Sequence, residues 1–248
     1  FVRPPIGQGR VRGDFSVAVS ADQPTEPETS GHLTGTNLSF PLPSGEQVVI
    51  ADMALTANGS RVAADLSSLS WHNLTWSPVK AEFNFIEDKI RLKITEAKLC
   101  GIDAPAEWII HGRNLALDLR LESRQVDVAQ GYTCLTQGKG EMTGTLDITG
   151  RISAKGRFDE LVENLQGPLE MTFLNGVIKR DLFLARILEI LNISDVFVGK
   201  LPDLRNEGLA YTSINLQGKF ENGKLHIAKF QMDGETLDLL GNGEIDLL

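Results

Sequence analysis

The sequence predicts a mainly β chain of antiparallel strands, with one or two short helices near its C-terminal end. Three observations carry that expectation. Apolar and polar residues alternate with period two through most of the chain. The alternating runs recur about every 10 to 15 residues with Gly, Asn or Asp at the joints, the spacing of hairpins rather than of βαβ units. Helical spacing replaces the alternation in only two stretches, about 158–166 and 181–191.

Each element follows from its own residues. The first 45 residues are less regular, and "SADQPTEPETSGH" is polar and proline-bearing, as an exposed connection is. "KAEFNFIEDKIRLKITEAKL" places Ala81, Phe83 and Phe85 on one face, turns at "EDK", and returns with Ile90, Leu92 and Ile94 on a shared face. "RNLALDLRLESRQVDV" sets Leu115, Leu117, Leu119 and Leu121 on one side and Asp118 and Arg120 on the other. Leu146 and Ile148, then Leu169, Met171 and Phe173, then Ile214 and Leu216 repeat the pattern. Asn222-Gly223 is a strong hairpin signal, followed by Leu225 and Ile227. A second Asn-Gly, Asn242-Gly243, reads as another turn, with one more strand beginning after it.

Two helices are expected among these strands. "RFDELVENLQG" has Asp159 and Glu160 in its first turn, Leu161, Val162 and Leu165 at helical spacing, and Gly167 as a stop. "DLFLARILEIL" follows, with Leu184, Ile187, Leu188 and Leu191 on a broad apolar face and Asn192 as a stop. A face that broad needs cover on more than one side, so this helix is expected to lie over the β-structure as a lid. The segment Leu201–Asp203 is expected to run back to the sheet.

Composition excludes several classes of function. The net charge of −9, with only 24 Lys plus Arg, argues against a nucleic-acid surface, and no basic patch favours anionic lipid. Apolar runs of a few residues are far short of the 18 or more that span a bilayer. The chain opens on Phe1 and closes at "GEIDLL" within an alternating pattern, and so reads as a segment of a longer protein. Cys100 and Cys134 are either two reduced thiols or a disulfide closing a loop of about 34 residues, for which chain entropy gives roughly 3 to 4 kcal/mol.

No catalytic constellation stands out. His32, His72, His111 and His226 are scattered without metal-ligand spacing, and no nucleophile elbow or P-loop is present. "GQGRVRG" lacks the lysine and the strand–helix context that a phosphate cradle needs. Asp118, Glu122 and Asp127 read as a solvated strand face. The sequons at Asn37, Asn58, Asn73 and Asn192 matter only in a eukaryotic secretory protein. The expectation is a protein that is not an enzyme, with no cofactor and no metal. What remains is the apolar strand face, whose plain alternative is the packed core of an ordinary β-sandwich.

The order of motifs over residues 151–248 resembles the C-terminal region of the AsmA-like proteins of Gram-negative bacteria. The elements are "LQG" at Leu165–Gly167, "NGVI" at Asn175–Ile178, the apolar helix ending at Leu191-Asn192, "GLAYTSI" at Gly208–Ile214, "NGKLHI" at Asn222–Ile227, and the closing Gly243–Leu247. Residues 1–150 are similar in texture only, as upstream β-repeats would be. The resemblance implies a long curved antiparallel sheet forming an open apolar groove. It also implies a periplasmic protein, tethered to the inner membrane by a segment outside this chain, that conducts phospholipid towards the outer membrane. Inner- and outer-membrane proteins are the implied partners, and a Cys100–Cys134 disulfide suits that compartment.

The groove would be lined by Phe83, Phe85, Ile90, Leu92, Ile94, Leu115, Leu117, Leu119, Leu121, Leu146, Ile148, Leu169, Met171, Phe173, Ile214, Leu216, Leu225 and Ile227. The alternatives are a non-conducting structural or assembly factor for outer-membrane biogenesis, and a closed-cavity lipid carrier.

Overall fold

A computed structural model describes residues 7–19, 27–41, 47–71, 74–136, 141–179 and 208–247, and the backbone of 191–198. The described chain is mainly β and every strand register in it is antiparallel, with one short α-helix. It divides into two compact units, Phe1–Leu99 with Asp103–Leu117, and Cys100–Ile102 with Asp118–Leu248.

Unit 1 holds β1 (Arg10–Ala18), β2 (Glu28–Pro41), β3 (Gln47–Gly59), β4 (Arg61–Leu66), β5 (Leu69–Trp71), β6 (Leu74–Ile86), β7 (Lys89–Leu99), the end of β8 (Ile102–Asp103), β9 (Ala106–His111) and the start of β10 (Asn114–Asp127). The pairing follows chain order. β1 pairs β2 and β2 pairs β3; β4 and β5 both bridge β3 to β6; β6 pairs β7, and β7 pairs β9. Short connections between successive alternating runs allow no other arrangement to form as readily. The "EDK" turn forms as expected: Ile86 faces Lys89, and Glu87 takes φ 51.

Unit 2 holds the rest of β10, then α1 (Val128–Thr136), β11 (Glu141–Met142), β12 (Thr145–Arg157), β13 (Gly167–Lys179), β14 (Leu191–Val198), β15 (Leu209–Glu221), β16 (Lys224–Gly234) and β17 (Leu237–Asp246). β12 pairs β13, β13 pairs β15, and β15, β16 and β17 follow as a meander. β14, which lies between β13 and β15 in sequence, pairs instead with β17. At the Asn222-Gly223 turn φ is 53 and 72, both left-handed, the geometry a two-residue hairpin of this hand demands.

Four expectations need correction or fall elsewhere. Asn242-Gly243 is not a turn: both residues lie inside β17, with β16 on one side and β14 on the other. Ladders on two edges hold that dipeptide extended. The helix expected at 158–166 is only a 3-10 turn, Phe158–Glu160, continued by turns to Asn164, whose N–H donates to the Glu160 carbonyl at 3.1 Å. Reciprocal backbone hydrogen bonds between Ser153 and Gln166 then return the chain to the sheet. Of the expected helix 181–191, residues 181–190, including Leu184, Ile187 and Leu188, lie outside the described residues, as does Leu201–Asp203. Leu191 does not end a helix but opens β14, because its backbone pairs with Gly243 of β17.

The helix that does form, α1, is not one of those expected: it starts where the strand alternation ending in "RQVDV" stops. Its start is nevertheless written in the sequence: Asp127 Oδ1 accepts the Gln130 N–H at 3.2 Å, an N-cap three residues before a glutamine.

Candidate functional site

The registers of unit 1 line up apolar residues across its strands. One row runs Phe15, Gly31, Ala57, Val62, Phe83, Leu92 and Trp108, through β1, β2, β3, β4, β6, β7 and β9. The next row on the same face runs Gly13, Leu33, Leu55, Ala64, Ala81, Ile94 and Ala106. A third holds Val11, Gly35, Met53, Leu66, Val79 and Ala97. Phe85, Ile90 and Ile110 extend the same face towards the turns. Seven strands are six spacings, so the first row is about 29 Å long at ~4.8 Å per strand.

No residue in these rows carries a charge. The opposite face is the reverse. There Asn58, Arg61, Asn84 and Arg91 form one row, and Thr56, Ala63, Glu82, Lys93 and Glu107 another. Ion pairs knit it together: Arg61–Glu82 at 3.1 Å, Lys80–Glu96 at 2.7 Å and Arg91–Glu107 at 3.2 Å. The Glu96 carboxylate bonded to Lys80 holds that ammonium above its usual pKa. These pairs are exposed and each adds little stability, but they fix which face meets water.

The apolar face is only partly covered. Small side chains within it are buried, Ala57 and Val62 among them. Among the large ones Leu66 and Val79 are buried, whereas Phe83, Phe85, Ile90, Leu92, Ile94 and Trp108 are partly exposed, as are Leu115 and Leu117 of β10; Leu119 and Leu121, also partly exposed, fall in unit 2. The described strands of unit 1 from β1 to β7, with β9, all belong to one ladder.

Unit 2 treats the same pattern differently. Leu146, Ile148, Leu169, Ile214, Leu225 and Ile227 are buried at 8 % exposure or less, around a fully buried Met232. Met171, Phe173 and Leu216 pack against that cluster, as do Leu121, Val126 and Tyr132. The expected lining residues of unit 1 are thus all partly exposed, whereas six of those in unit 2 are buried in its core and Met171, Phe173, Leu216, Leu119 and Leu121 are partly exposed.

Cys100 and Cys134 form a disulfide. It ties the segment before β8 to α1, and Ile102 beside it packs on the unit 2 core.

Sequence reasoning missed about half of the apolar face. Phe15, Leu33, Met53, Leu55, Val62, Leu66, Val79 and Trp108 belong to it. Glycines and alanines interrupt the alternation there: Gly13, Gly31 and Gly35 occupy apolar-face positions, so "SGHLTGTNL" does not read as a stripe. Phe15 stands opposite Gly31 and Leu33 opposite Gly13, large residue against none, which fills the face evenly.

Among the described residues no group of His, Cys, Asp and Glu is placed to hold a metal ion. An open depression on the outer face of unit 2 is lined by Gln217, Lys219, His226, Asn242 and Glu244. Its charges are already paired, Lys224 and His226 with Glu244 at 3.0 and 2.9 Å and Lys219 with Glu221 at 2.8 Å. No described helix is long and apolar enough to cross a membrane. No protein-family model, no curated protein and no solved structure matches the chain.

Proposed function

We propose that this chain is a segment of a periplasmic, bridge-like lipid-transfer protein, and that the apolar face of unit 1 carries phospholipid acyl chains between the inner and outer membranes. The observation that carries the reading is the charge-free, seven-strand apolar face, on which Phe83, Phe85, Ile90, Leu92, Ile94 and Trp108 stay partly exposed beneath an ion-paired polar back. An apolar surface of this breadth on a soluble sheet calls for an occupant.

The energetics suit a lipid. Two acyl chains hold about 30 methylenes at ~0.8 kcal/mol each, on the order of 20 kcal/mol to expose to water. A row of Phe, Leu, Ala and Trp replaces that exposure without any hydrogen bond to make or break. Such a surface holds acyl chains without gripping a headgroup, so the lipid slides. The reading needs no catalytic residue, no cofactor and no metal. The motif order over residues 151–248, apart from the helix end expected at Leu191-Asn192, and the disulfide, which suits an oxidising compartment, support it further.

One observation favours a different role for unit 2. Most of the equivalent positions there are buried in a core, with Met171, Phe173 and Leu216 packed against it, so that unit is assigned a structural, non-conducting part.

The test is photocrosslinking in cells from a probe amino acid at Phe83, Leu92 or Leu117, with Asp118 and Ile214 as controls. Phospholipid adducts from the three unit 1 positions and none from the controls are expected. Equal yields from Phe83 and Asp118, or no lipid adduct at all, sink the proposal.

A further inference from the structure

The free edge of unit 1 points to a partner of its own. β1 is nine residues long and pairs only with β2 among the described residues; every residue in it except Phe15 is exposed. Val11 and Val17, on the apolar face, are 56 % and 58 % exposed. Long edges of this kind are normally blunted by a proline, a bulge or charges; β1 has no proline and no bulge, and its charges, Arg10, Arg12 and Asp14, are of both signs.

Its charges are also left over. On the polar face the charges of β4, β6, β7 and β9 form the ion pairs described above. Arg12 and Asp14 of β1 lie on the same face, opposite Thr34 and His32, and neither makes an ion pair among the described residues.

We infer that β1 pairs antiparallel with β1 of a second copy of this chain, about a two-fold axis through Gly13. Symmetry makes such a contact isologous, so the strand must complement itself. In this register Arg12 of one copy faces Asp14 of the other, twice, on the polar face. Val11 faces Phe15, twice, on the apolar face, and Arg10 faces Ser16. The alternative centred on Asp14 sets two carboxylates against each other, which cross-strand pairing penalises. Registers centred between residues place apolar side chains opposite polar ones and are excluded by the pleat. The pairing joins the apolar faces of two copies edge to edge, and its small contact area makes the dimer a weak one.

The experiment is analytical ultracentrifugation of the chain over a wide concentration range, with Arg12→Asp, Asp14→Arg and the double reversal. Both residues are exposed, and unchanged circular dichroism checks that each variant folds. A concentration-dependent dimer is expected for the parent chain. Each single reversal creates two like-charged pairs at once and is expected to raise the dissociation constant about tenfold. The double reversal restores the parent value, a rescue that only a self-paired strand gives. A monomer at every concentration overturns the inference, as does a double variant that dimerises no better than the singles. Hydrogen-exchange protection in a monomer of the β1 amides that point away from β2, showing that another strand covers the edge, overturns it too.

Discussion

Phe83 on β6 stands opposite Leu92 on β7 in the middle of the apolar face of unit 1, and both remain half-exposed. A cross-strand apolar pair is worth only a few tenths of a kcal/mol to about 1 kcal/mol to its sheet. Its position in a charge-free row gives it more consequence for what the face can hold. Phe83→Asp is therefore expected to abolish lipid contact while leaving the chain folded. Trp108 shares the row and serves as the reporter. Vesicles containing brominated phosphatidylethanolamine should quench its fluorescence in a variant whose other two tryptophans are replaced by Phe. Quenching that survives Phe83→Asp intact counts against the face as the acyl-chain site.

The two units should answer truncation differently. Met232 is fully buried in the unit 2 core, between Ile214 of β15 and Leu239 of β17. Met232→Ala is expected to cost about 2–5 kcal/mol, lost transfer energy plus a cavity. Phe83→Ala, which removes a half-exposed ring, should cost about 1–2 kcal/mol. Urea unfolding followed by circular dichroism measures both, and equal costs would mean that Phe83 is as well packed as Met232.

Tyr211 predicts an alkaline limit. Its hydroxyl donates a 2.6 Å hydrogen bond to the Thr143 carbonyl, and burial at 3 % exposure pushes its pKa up from 10.0 to about 12. The phenol is thus harder to ionise folded than unfolded. Stability from this residue is complete below pH 10 and falls as pH rises from 10 towards about 12, because the unfolded chain releases its proton first. Tyr211→Phe should lose about 1–2 kcal/mol at neutral pH through the unsatisfied carbonyl, and should show a shallower decline across that alkaline window. Unfolding free energies measured from pH 8 to 12 give the comparison.

The disulfide should matter to unit 2. Cys100 and Cys134 are 34 residues apart, so cutting their bond is expected to cost about 3–4 kcal/mol on chain-entropy grounds. Cys134→Ser and reduction of the parent chain by dithiothreitol should lower the urea midpoint equally, and dithiothreitol should not affect the variant further. A parent chain indifferent to reductant would remove the bond from the stability account.

Gly176 gives a steric prediction. A Cβ there would run into the Tyr211 hydroxyl oxygen and the Thr143 carbonyl oxygen. Gly176→Ala should therefore destabilise unit 2 by about 1–3 kcal/mol, and Tyr211→Phe should relieve little of it, since the backbone carbonyl remains in place. A thermal melt of the single and double variants decides this.

Period-two alternation by itself determined that this is a mainly β, antiparallel protein, because a residue's face in a strand depends only on the parity of its position. It also determined the face shared by Phe83, Phe85, Leu92 and Ile94, and the hairpin at Asn222-Gly223, whose left-handed dihedrals are a local property. Alternation is blind to what lies above a face, so Leu92 and Ile214 read alike although one is half-exposed and the other buried. Only the tertiary structure decided that, because covering a face depends on which elements remain to cover it. The same holds for Asn242-Gly243, a turn signal overruled by ladders on both edges of β17, and for β14, whose partner lies three strands further along the sequence. Long-range pairing leaves no mark on a local pattern, and that is where this sequence stops being legible.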